Sequence, residues 1–274
     1  MPFTPSHAVL ALPFARRPGL AAAIAVGAMA PDLPMFLRGT GVDYALTHDP
    51  RGIPVTVLIA LALLLIWRVL LRPAARALAP RALGSRLPGT WDRGPASALR
   101  ETFPSAGGAA LVLVGIAAGI ASHILWDGFT HEGRFGTVLL PALARPWGPL
   151  PGYKMLQYGS GLGGLIILGA AGALWLRGRE PGPTAPAPRM LRLGWWLSLP
   201  MLLLGAVAAV SAVLEGPPAS LGAAYRLAGT LPPVVGLWGI LTVGLALVLR
   251  LGRPGSSYAS SPSASASEAR DRSR

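Results

Sequence analysis

The chain has 274 residues, of which 52% are hydrophobic and only 13% are charged. With a mean hydropathy of +0.53, this composition excludes a soluble globular domain of that size and predicts an integral membrane protein. The formal charge of +13 does not indicate nucleic-acid binding, because the arginines lie between apolar segments rather than along one amphipathic face.

The amino-terminal segment, Phe3 to Ala15, is apolar but too short to cross a bilayer by itself. Arg16 to Gly19 follow as a basic turn before the next apolar run. We therefore expect a helical hairpin whose first arm is re-entrant or packed inside the bundle. If its basic tip faces the cytoplasm, the hairpin brings His7 and Asp32 to the opposite, outward side.

Six apolar segments have the length of about 17 to 25 residues that a transmembrane helix needs. None of them alternates apolar and polar residues, so helices fit and barrel strands do not. The segments are Leu20 to Leu37, Ile53 to Leu71, Ala106 to Asp127, Tyr158 to Leu176, Gly194 to Leu214 and Leu231 to Leu251. The sequence thus predicts an all-α fold, a polytopic integral membrane helical bundle with about six spans plus a short amino-terminal helical arm.

Arginine is concentrated in alternate connections between these segments. Residues 72–104, residues 177–193 and the tail are rich in arginine, whereas residues 38–52, 128–157 and 215–230 carry few basic side chains. The positive-inside rule then places the arginine-rich connections and the carboxy-terminal tail in the cytoplasm and the other connections outside. A composition dominated by Ala, Gly, Pro and Arg indicates a bacterial protein, and hence the inner membrane.

The connections also carry acidic residues, including Asp92 and Glu101, which we interpret as solvated surface charge. The arginines around them are interpreted as topology determinants and as contacts with anionic lipid headgroups.

A proline-rich stretch divides the chain into parts of different character. We expect a site-bearing membrane domain in residues 1–176, an extended cytoplasmic linker in residues 177–193, a two-helix membrane extension in residues 194–251 and a disordered tail in residues 252–274.

Ionisable side chains are gathered at the predicted outward side. His123, Asp127 and His131 are spaced i, i+4 and i+8 at the end of an apolar run, which places them within roughly 80° of one helical face. The other two histidines, His7 and His48, fall in segments on the same side, and Asp32 lies in apolar surroundings where a bare carboxylate is costly. Such groups at the end of a membrane span indicate a functional site.

Imidazole and carboxylate ligands without cysteine suit Zn, Mn, Fe or Ni, and His7, His48, His123, Asp127 and His131 are the candidate metal ligands. An open position on such a metal generates a hydroxide that can hydrolyse an ester, a phosphoester or an amide. The alternatives are a transporter or ion relay that uses the same groups, a non-catalytic or haem-binding membrane protein, and polar residues with only structural roles.

Lys154 and Gln157 are the candidate substrate-binding residues, because both can contact a headgroup phosphate at the membrane surface. Interfacial anchoring, together with Tyr153 and Tyr158, is the structural alternative.

Several sequence motifs resemble an uncharacterised bacterial multi-pass membrane family that is similar to inner-membrane proteins labelled metal-dependent hydrolases. The motifs are Met1-Pro-Phe-Thr-Pro-Ser-His7, Gly27-Ala-Met-Ala-Pro-Asp32, Thr47-His48, the stretch from Ser122 to His131, and the stretch from Tyr153 to Ser160. This resemblance covers about residues 1 to 175. It implies a metal-dependent hydrolase. Because the predicted site opens at headgroup depth on the outward side, we expect a phosphoester or ester substrate that is lipid-linked.

The order of the histidines and aspartates also resembles that in zinc-dependent phospholipase C enzymes. This resemblance implies that His48, His123 and Asp127 hold one zinc ion and that His7 contributes to a second ion bridged by Asp127. It further implies Asp32 as the general base or water-orienting carboxylate and His131 as the ligand of a further ion. The later His-x-x-x-Glu pair of that pattern is missing here, so a full trinuclear cluster is not expected.

Overall fold

The structure, a computed structural model, describes residues 4–213 and 221–252, with the backbone alone described from 221 to 228. Within these ranges the chain is helical and contains no strand, which confirms the predicted all-α class. The α-helices are α1 Pro18–Met29, α2 Leu33–Phe36, α3 Tyr44–His48, α4 Ile53–Ile66, α5 Arg72–Leu78, α6 Arg81–Gly84, α7 Pro95–Thr102, α8 Ala106–Thr130, α9 Phe135–Leu139, α10 Gly152–Arg177, α11 Arg189–Val213 and α12 Leu221–Leu251.

A longer 3-10 helix precedes α1, and short 3-10 or π-helical turns lie between the later α-helices. The 3-10 helices cover Thr4–Phe14, Ala30–Asp32, Pro50–Gly52, Gly89–Asp92 and Pro141–Ala144, and a π-helical turn covers Trp67–Leu71.

Among the described residues, six helical segments are long and apolar enough to cross a membrane, which confirms the predicted number of spans. They are Pro18–Phe36, Pro50–Leu78, Ala106–Thr130, Gly152–Arg177, Arg189–Val213 and Gly229–Leu251. The second span continues to Leu78 rather than ending at Leu71. The last helix begins at Leu221, so Pro232 and Pro233, which suit a first turn, lie inside it. Residues 214–220 of the predicted outer loop and residues 253–274 of the predicted tail lie outside the described part.

A close crossing of α1 and α8 sets the geometry of one end of the bundle. A Cβ atom on Gly27 or on Gly119 would overlap backbone atoms of the other helix, so the two backbones are in direct contact. Buried Ala23, Ile116 and Ile120 pack around the crossing. The crossing therefore makes neighbours of the residues at the carboxyl end of α8 and those that follow α1.

The predicted amino-terminal arm is the 3-10 helix Thr4–Phe14, which packs on α1 and α10. A Cβ atom on Gly164 of α10 would lie 2.9 Å from the Ser6 Cβ, so the arm rests directly on α10. This confirms an arm packed inside the bundle. It brings His7 to the same end of the molecule as Asp32.

The last two membrane helices pack on each other and on the first half of the chain. The ring centroids of Trp195 in α11 and Trp238 in α12 are 5.2 Å apart. Gly236 of α12 lies so close to the carbonyl of Phe36 that a Cβ atom would not fit between them. Helix α12 therefore contacts the short helix that directly follows Asp32.

Three buried arginines, Arg68, Arg72 and Arg76, lie at the opposite end of the bundle and are named here the arginine cluster. Arg68 and Arg72 donate to the same Glu101 oxygen at 2.9 and 3.2 Å, and the Arg76 Nε donates to Asp92 at 2.8 Å. The Glu101 and Asp92 side chains are 41% and 34% exposed, so they are surface charges as expected, but each is also paired with a buried arginine, which the sequence did not indicate. The second span extends past Arg72 and Arg76 because their charges are paired within the protein.

The predicted linker is extended between α10 and α11 and is held against the arginine cluster. Arg76 donates to the Pro183 carbonyl at 2.8 Å, and the Ala187 amide donates to the Ala77 carbonyl at 2.9 Å. These bonds tie the start of α11 to the end of the second span.

Candidate metal centre

Four buried side chains, Asp32, His48, His123 and Asp127, converge where the first and third spans end. Each offers one ligand atom, and the four atoms lie within 4.8 Å of one another. Residues that are far apart in sequence thus form one compact group of imidazoles and carboxylates, named here the His/Asp centre. Such a group could hold a metal ion.

Local structure positions each of the four residues. Asp32 ends the 3-10 turn after α1, flanked by Pro31 and followed by Pro34, which restrict the turn. His48 is the last residue of α3, and the neighbouring Thr47 hydroxyl donates to the Pro31 carbonyl at 2.8 Å, which joins α3 to that turn.

The third span contributes the other two residues. His123 and Asp127 lie one helical turn apart on the face of α8 that packs against α1. Both side chains are buried by that packing, with His123 fully inaccessible.

The spacing of the ligand atoms matches that of a metal coordination shell. The Nε2 atoms of His48 and His123 are 3.3 Å apart. The Nε2 of His123 lies 3.4 Å from the nearest Asp127 oxygen and 3.6 Å from the nearest Asp32 oxygen, and the His48 Nε2 lies 3.7 Å from both carboxylates. Ligands held at about 2.0 to 2.1 Å from a tetrahedral ion are about 3.3 to 3.4 Å apart. The observed distances are close to this value, and those between imidazole and carboxylate are longer than an ordinary hydrogen bond.

Backbone carbonyls fix the orientation of both imidazoles in the centre. The His123 Nδ1 lies 2.7 Å from the Ala28 carbonyl, and the His48 Nδ1 lies 3.1 Å from the Tyr44 carbonyl. A carbonyl can only accept, so each Nδ1 carries the proton and each Nε2 presents its lone pair to the centre. A histidine that donates from one ring nitrogen to a carbonyl and directs the other at the site is typical of metal-binding histidines.

The carboxylates of the centre are incompletely satisfied by the described residues. Thr4 donates to one Asp32 oxygen at 2.6 Å, while the other Asp32 oxygen and both Asp127 oxygens are buried without a described hydrogen-bond partner. A buried carboxylate oxygen without a donor is costly. A cation among these oxygens would compensate that cost.

His7 lies beside the group of four. Its ring centroid is 4.1 Å from that of His123, and its Nε2 is 3.8 Å from an Asp127 oxygen. Burial, and to a lesser extent the neighbouring His123, lower the pKa of His7 to about 4. His7 is therefore neutral at pH 7 and has a lone pair available for a cation.

His131 is oriented differently from the other three histidines. Its Nδ1 contacts the Asp127 carbonyl at 3.0 Å, and its Nε2 lies 3.0 Å from the Gln157 Nε2, which can only donate. Burial is the main cause that lowers the pKa of His131. The structure thus places His131 between the His/Asp centre and Gln157 rather than within the group of four.

Lys154 and Gln157 lie next to each other on the first turns of α10, and the Lys154 Nζ donates to the Gln157 side chain at 2.9 Å. Both residues line a cavity of about 1360 Å³, which His131 and Tyr44 also line. The two candidate substrate-binding residues are therefore adjacent to the His/Asp centre through His131.

Sequence reasoning missed three residues at this end of the protein. Thr4 donates to Asp32, Arg38 lines the cavity, and the Tyr44 ring stacks on His48 with centroids 3.8 Å apart. Burial and the carboxylates of the centre raise the pKa of Tyr44. The i, i+4 spacing of Tyr44 and His48 was the available signal, since it places both on one helical face.

The comparison with family models identifies the chain as belonging to the family described as domain of unknown function DUF4184, whose model matches residues 1–249. The match includes α12, and so extends well beyond the residues that carry the sequence motifs. The searches of curated proteins and of solved structures find no match.

Proposed function

We propose that this member of the DUF4184 family is a membrane-embedded metal-dependent hydrolase that cleaves a phosphoester or ester of a lipid-linked substrate. The observation that carries the proposal is the group of four buried ligands, in which three carboxylate oxygens lack a described hydrogen-bond donor. Two oriented imidazoles and two carboxylates at coordination spacing are a ligand set for a divalent ion.

Zinc is the ion we assign, in one or two sites. His48, His123 and Asp127 would hold the first ion, in keeping with their mutual distances of 3.3 to 3.7 Å. His7 lies 3.8 Å from the same Asp127 carboxylate and would supply a donor for a second ion. His131, whose ring nitrogens contact the Asp127 carbonyl and Gln157, would orient this carboxylate instead of binding the ion. A bound divalent ion supplies a Lewis acid that polarises the substrate and lowers the pKa of water.

Asp32 is assigned as the proton acceptor. One of its oxygens is held by Thr4, and the other faces both ligand imidazoles without a described hydrogen-bond donor. This geometry fixes the carboxylate while leaving one oxygen to hold and orient a water molecule. Burial around Asp32 excludes competing solvent.

A lipid substrate is supported by the depth of the centre. The four ligands lie at the ends of membrane spans, where headgroups meet the hydrocarbon region, and Lys154 and Gln157 are near enough to contact a headgroup. The distribution of arginine supports a topology in the bacterial inner membrane with this end facing outward and with the arginine cluster and the tail on the cytoplasmic side.

Metal content and hydrolysis, measured on the same samples, test the proposal. Purified protein is expected to contain at least one equivalent of zinc by elemental analysis and to release product from vesicles of bacterial phospholipids. His123→Ala should lose both properties. Ser122→Ala is the control, because Ser122 is adjacent on α8 but donates only to the Gly119 carbonyl.

Two results would contradict the proposal. If elemental analysis finds no zinc, manganese or iron in either the wild-type protein or His123→Ala, the metal centre is excluded. Stoichiometric metal without cleavage of any ester or phosphoester lipid instead indicates a non-catalytic metal-binding protein or an ion-coupled transporter.

A further inference from the structure

The cavity beside the His/Asp centre is built from both halves of the chain. Its walls include residues near the end of the first span, residues of α10 and residues of α12. Tyr44, which stacks on His48, and His131, which contacts Asp127, form the side of the cavity nearest the centre. A molecule in this cavity would therefore lie against the proposed metal ligands.

The two sides of the cavity differ in polarity. Arg38, Lys154 and Gln157 provide cationic and hydrogen-bonding groups, whereas Phe36, Leu231 and Val235 are apolar. A cavity of about 1360 Å³ exceeds the roughly 300 to 1,000 Å³ of typical small-ligand pockets, so it has room for a headgroup and part of a hydrocarbon chain. Its division into a polar and an apolar side fits an amphiphile.

The cations of the cavity are available for an anion. Arg38 is exposed, and no described carboxylate lies within ion-pair distance of its guanidinium. Lys154 is held by Gln157, which also donates to His131. Asp43, the acidic residue in the described lining, already accepts the Ala45 amide as a helix cap. The charge balance of the polar side therefore favours a phosphate.

The apolar side is formed by a helix that is fixed to the site. Gly236 places α12 directly on the Phe36 carbonyl, and the Cβ position of Gly229 lies 3.9 Å from an Arg38 nitrogen. The first and last membrane helices thus meet at the cavity. Since α12 and α10 are both membrane-spanning, a hydrocarbon chain can reach the cavity from the bilayer.

We propose that this cavity binds a membrane lipid that carries a phosphate headgroup, with Arg38 and Lys154 on the phosphate and α12 along an acyl chain. The proposal builds on the lipid-linked substrate class proposed above and extends it to the phosphate and the carboxy-terminal helices. The last two helices are then part of the substrate site, and Arg38 is a substrate-binding residue.

Photocrosslinking in detergent tests the assignment without requiring turnover. The probe is a phosphatidic acid with a diazirine in one acyl chain, and adducts are mapped by mass spectrometry. Adducts are expected on residues 229–235 of α12 and near Phe36. A diacylglycerol with the same diazirine chain should label at least about tenfold less, because charge-assisted hydrogen bonds to the phosphate are lost.

Variants separate the phosphate contacts from general lipid adhesion. Arg38→Gln combined with Lys154→Gln should lower phosphatidic acid labelling to the diacylglycerol level, whereas Arg145→Gln, which changes an exposed cation away from the cavity, should not. If the double variant does not fold, Arg38→Gln alone is scored, since this exposed side chain makes no described ion pair. His123→Ala should keep the labelling, so a failed hydrolase assay and a failed lipid site remain distinguishable.

Three outcomes would overturn the lipid site. They are equal labelling by the two probes, labelling unchanged in the arginine and lysine variants, and suppression of labelling by excess glycerol 3-phosphate. The last outcome would show that the cavity takes a soluble phosphate instead.

Discussion

At the arginine cluster each buried cation is in direct contact with an anionic or carbonyl oxygen, at 2.8 to 3.2 Å for the three carboxylate contacts. At the His/Asp centre the ligand atoms for which a contact is described are 3.3 to 3.7 Å apart, and three carboxylate oxygens lack a described hydrogen-bond donor. The two sites lie near opposite ends of the second span, Pro50–Leu78.

The difference separates a paired polar site from a group that could hold a metal ion. The arginines and carboxylates of the arginine cluster are in direct contact, with the Arg68 Nε as its one buried nitrogen that lacks a described partner, so the cluster can act as a clamp between the second span, α7 and the linker. Buried carboxylates without donors are stable only when something else compensates their charge. The arginines are buried like the His/Asp centre, but Glu101 and Asp92 are 41% and 34% exposed, so the two sites differ both in pairing and in the burial of their carboxylates.

The largest effect is expected when a carboxylate is neutralised at the His/Asp centre. Asp127→Asn should lower zinc affinity by at least about 100-fold, the upper end of what loss of an outer-shell partner costs. In metal-free protein the same change should raise the unfolding midpoint by roughly 2 to 4 °C, because about 1 kcal/mol of uncompensated burial of charge is removed. Zinc titration and thermal unfolding in detergent measure the two effects.

Asp49→Asn is the matched control for this change. Asp49 is exposed and caps a turn through the Arg51 amide, a role that asparagine fills equally well. A metal-free Asp127→Asn protein that is less stable than wild type would show that the carboxylate is satisfied without an ion, as at the arginine cluster.

A smaller effect is expected at the arginine cluster, where neutralising a carboxylate should lower the stability of the protein instead of raising it. Glu101→Gln leaves Arg68 and Arg72 without their shared carboxylate and should destabilise the protein by about 1 to 2 kcal/mol. The value is modest because the Glu101 side chain is 41% exposed and partly screened by solvent. Metal content should not change, as elemental analysis would show. A loss of zinc in this variant would mean that the two ends of the bundle are coupled.

The smallest effect is expected from the hydroxyl that donates to Asp32. Thr4→Ala removes the 2.6 Å hydrogen bond that orients this carboxylate beside the two ligand imidazoles, so its negative charge should stabilise a bound zinc ion less well and zinc binding should weaken about tenfold. Thr40→Ala is its control, because Thr40 is exposed and donates only to the Leu37 carbonyl. Equal zinc affinity in the two variants, measured by competition with a chelating dye, would show that Thr4 does not position Asp32.

The sequence predicted the spans and named the residues of the His/Asp centre because both depend on local signals. Apolar length marks a membrane helix, and the i, i+4 spacing of His123 and Asp127 places them on one helical face. It also drew attention to Asp32, whose carboxylate lies in an apolar context.

What the sequence could not predict depends on contacts between distant segments. Glu101 has the same local appearance whether it faces solvent or accepts from Arg68, so its pairing in the arginine cluster was missed. The sequence divides at the proline-rich linker and does not indicate that Gly236 packs on Phe36. A glycine in an apolar helix predicts close packing, but it does not identify the helix that it packs against. His131 shares a stripe with Asp127, but its contact with Gln157 depends on where α10 lies.

The crossing of α1 and α8 has a consequence for biosynthesis. Asp32 and His48 are synthesised before the second span, whereas His123 and Asp127 follow only with the third. A nascent chain with two inserted spans therefore contains two of the four residues of the His/Asp centre. Two residues alone bind an ion weakly. If the centre holds a metal ion, its acquisition follows insertion of the third span and its docking at Gly27, so completion of the centre would report that the first three spans have assembled.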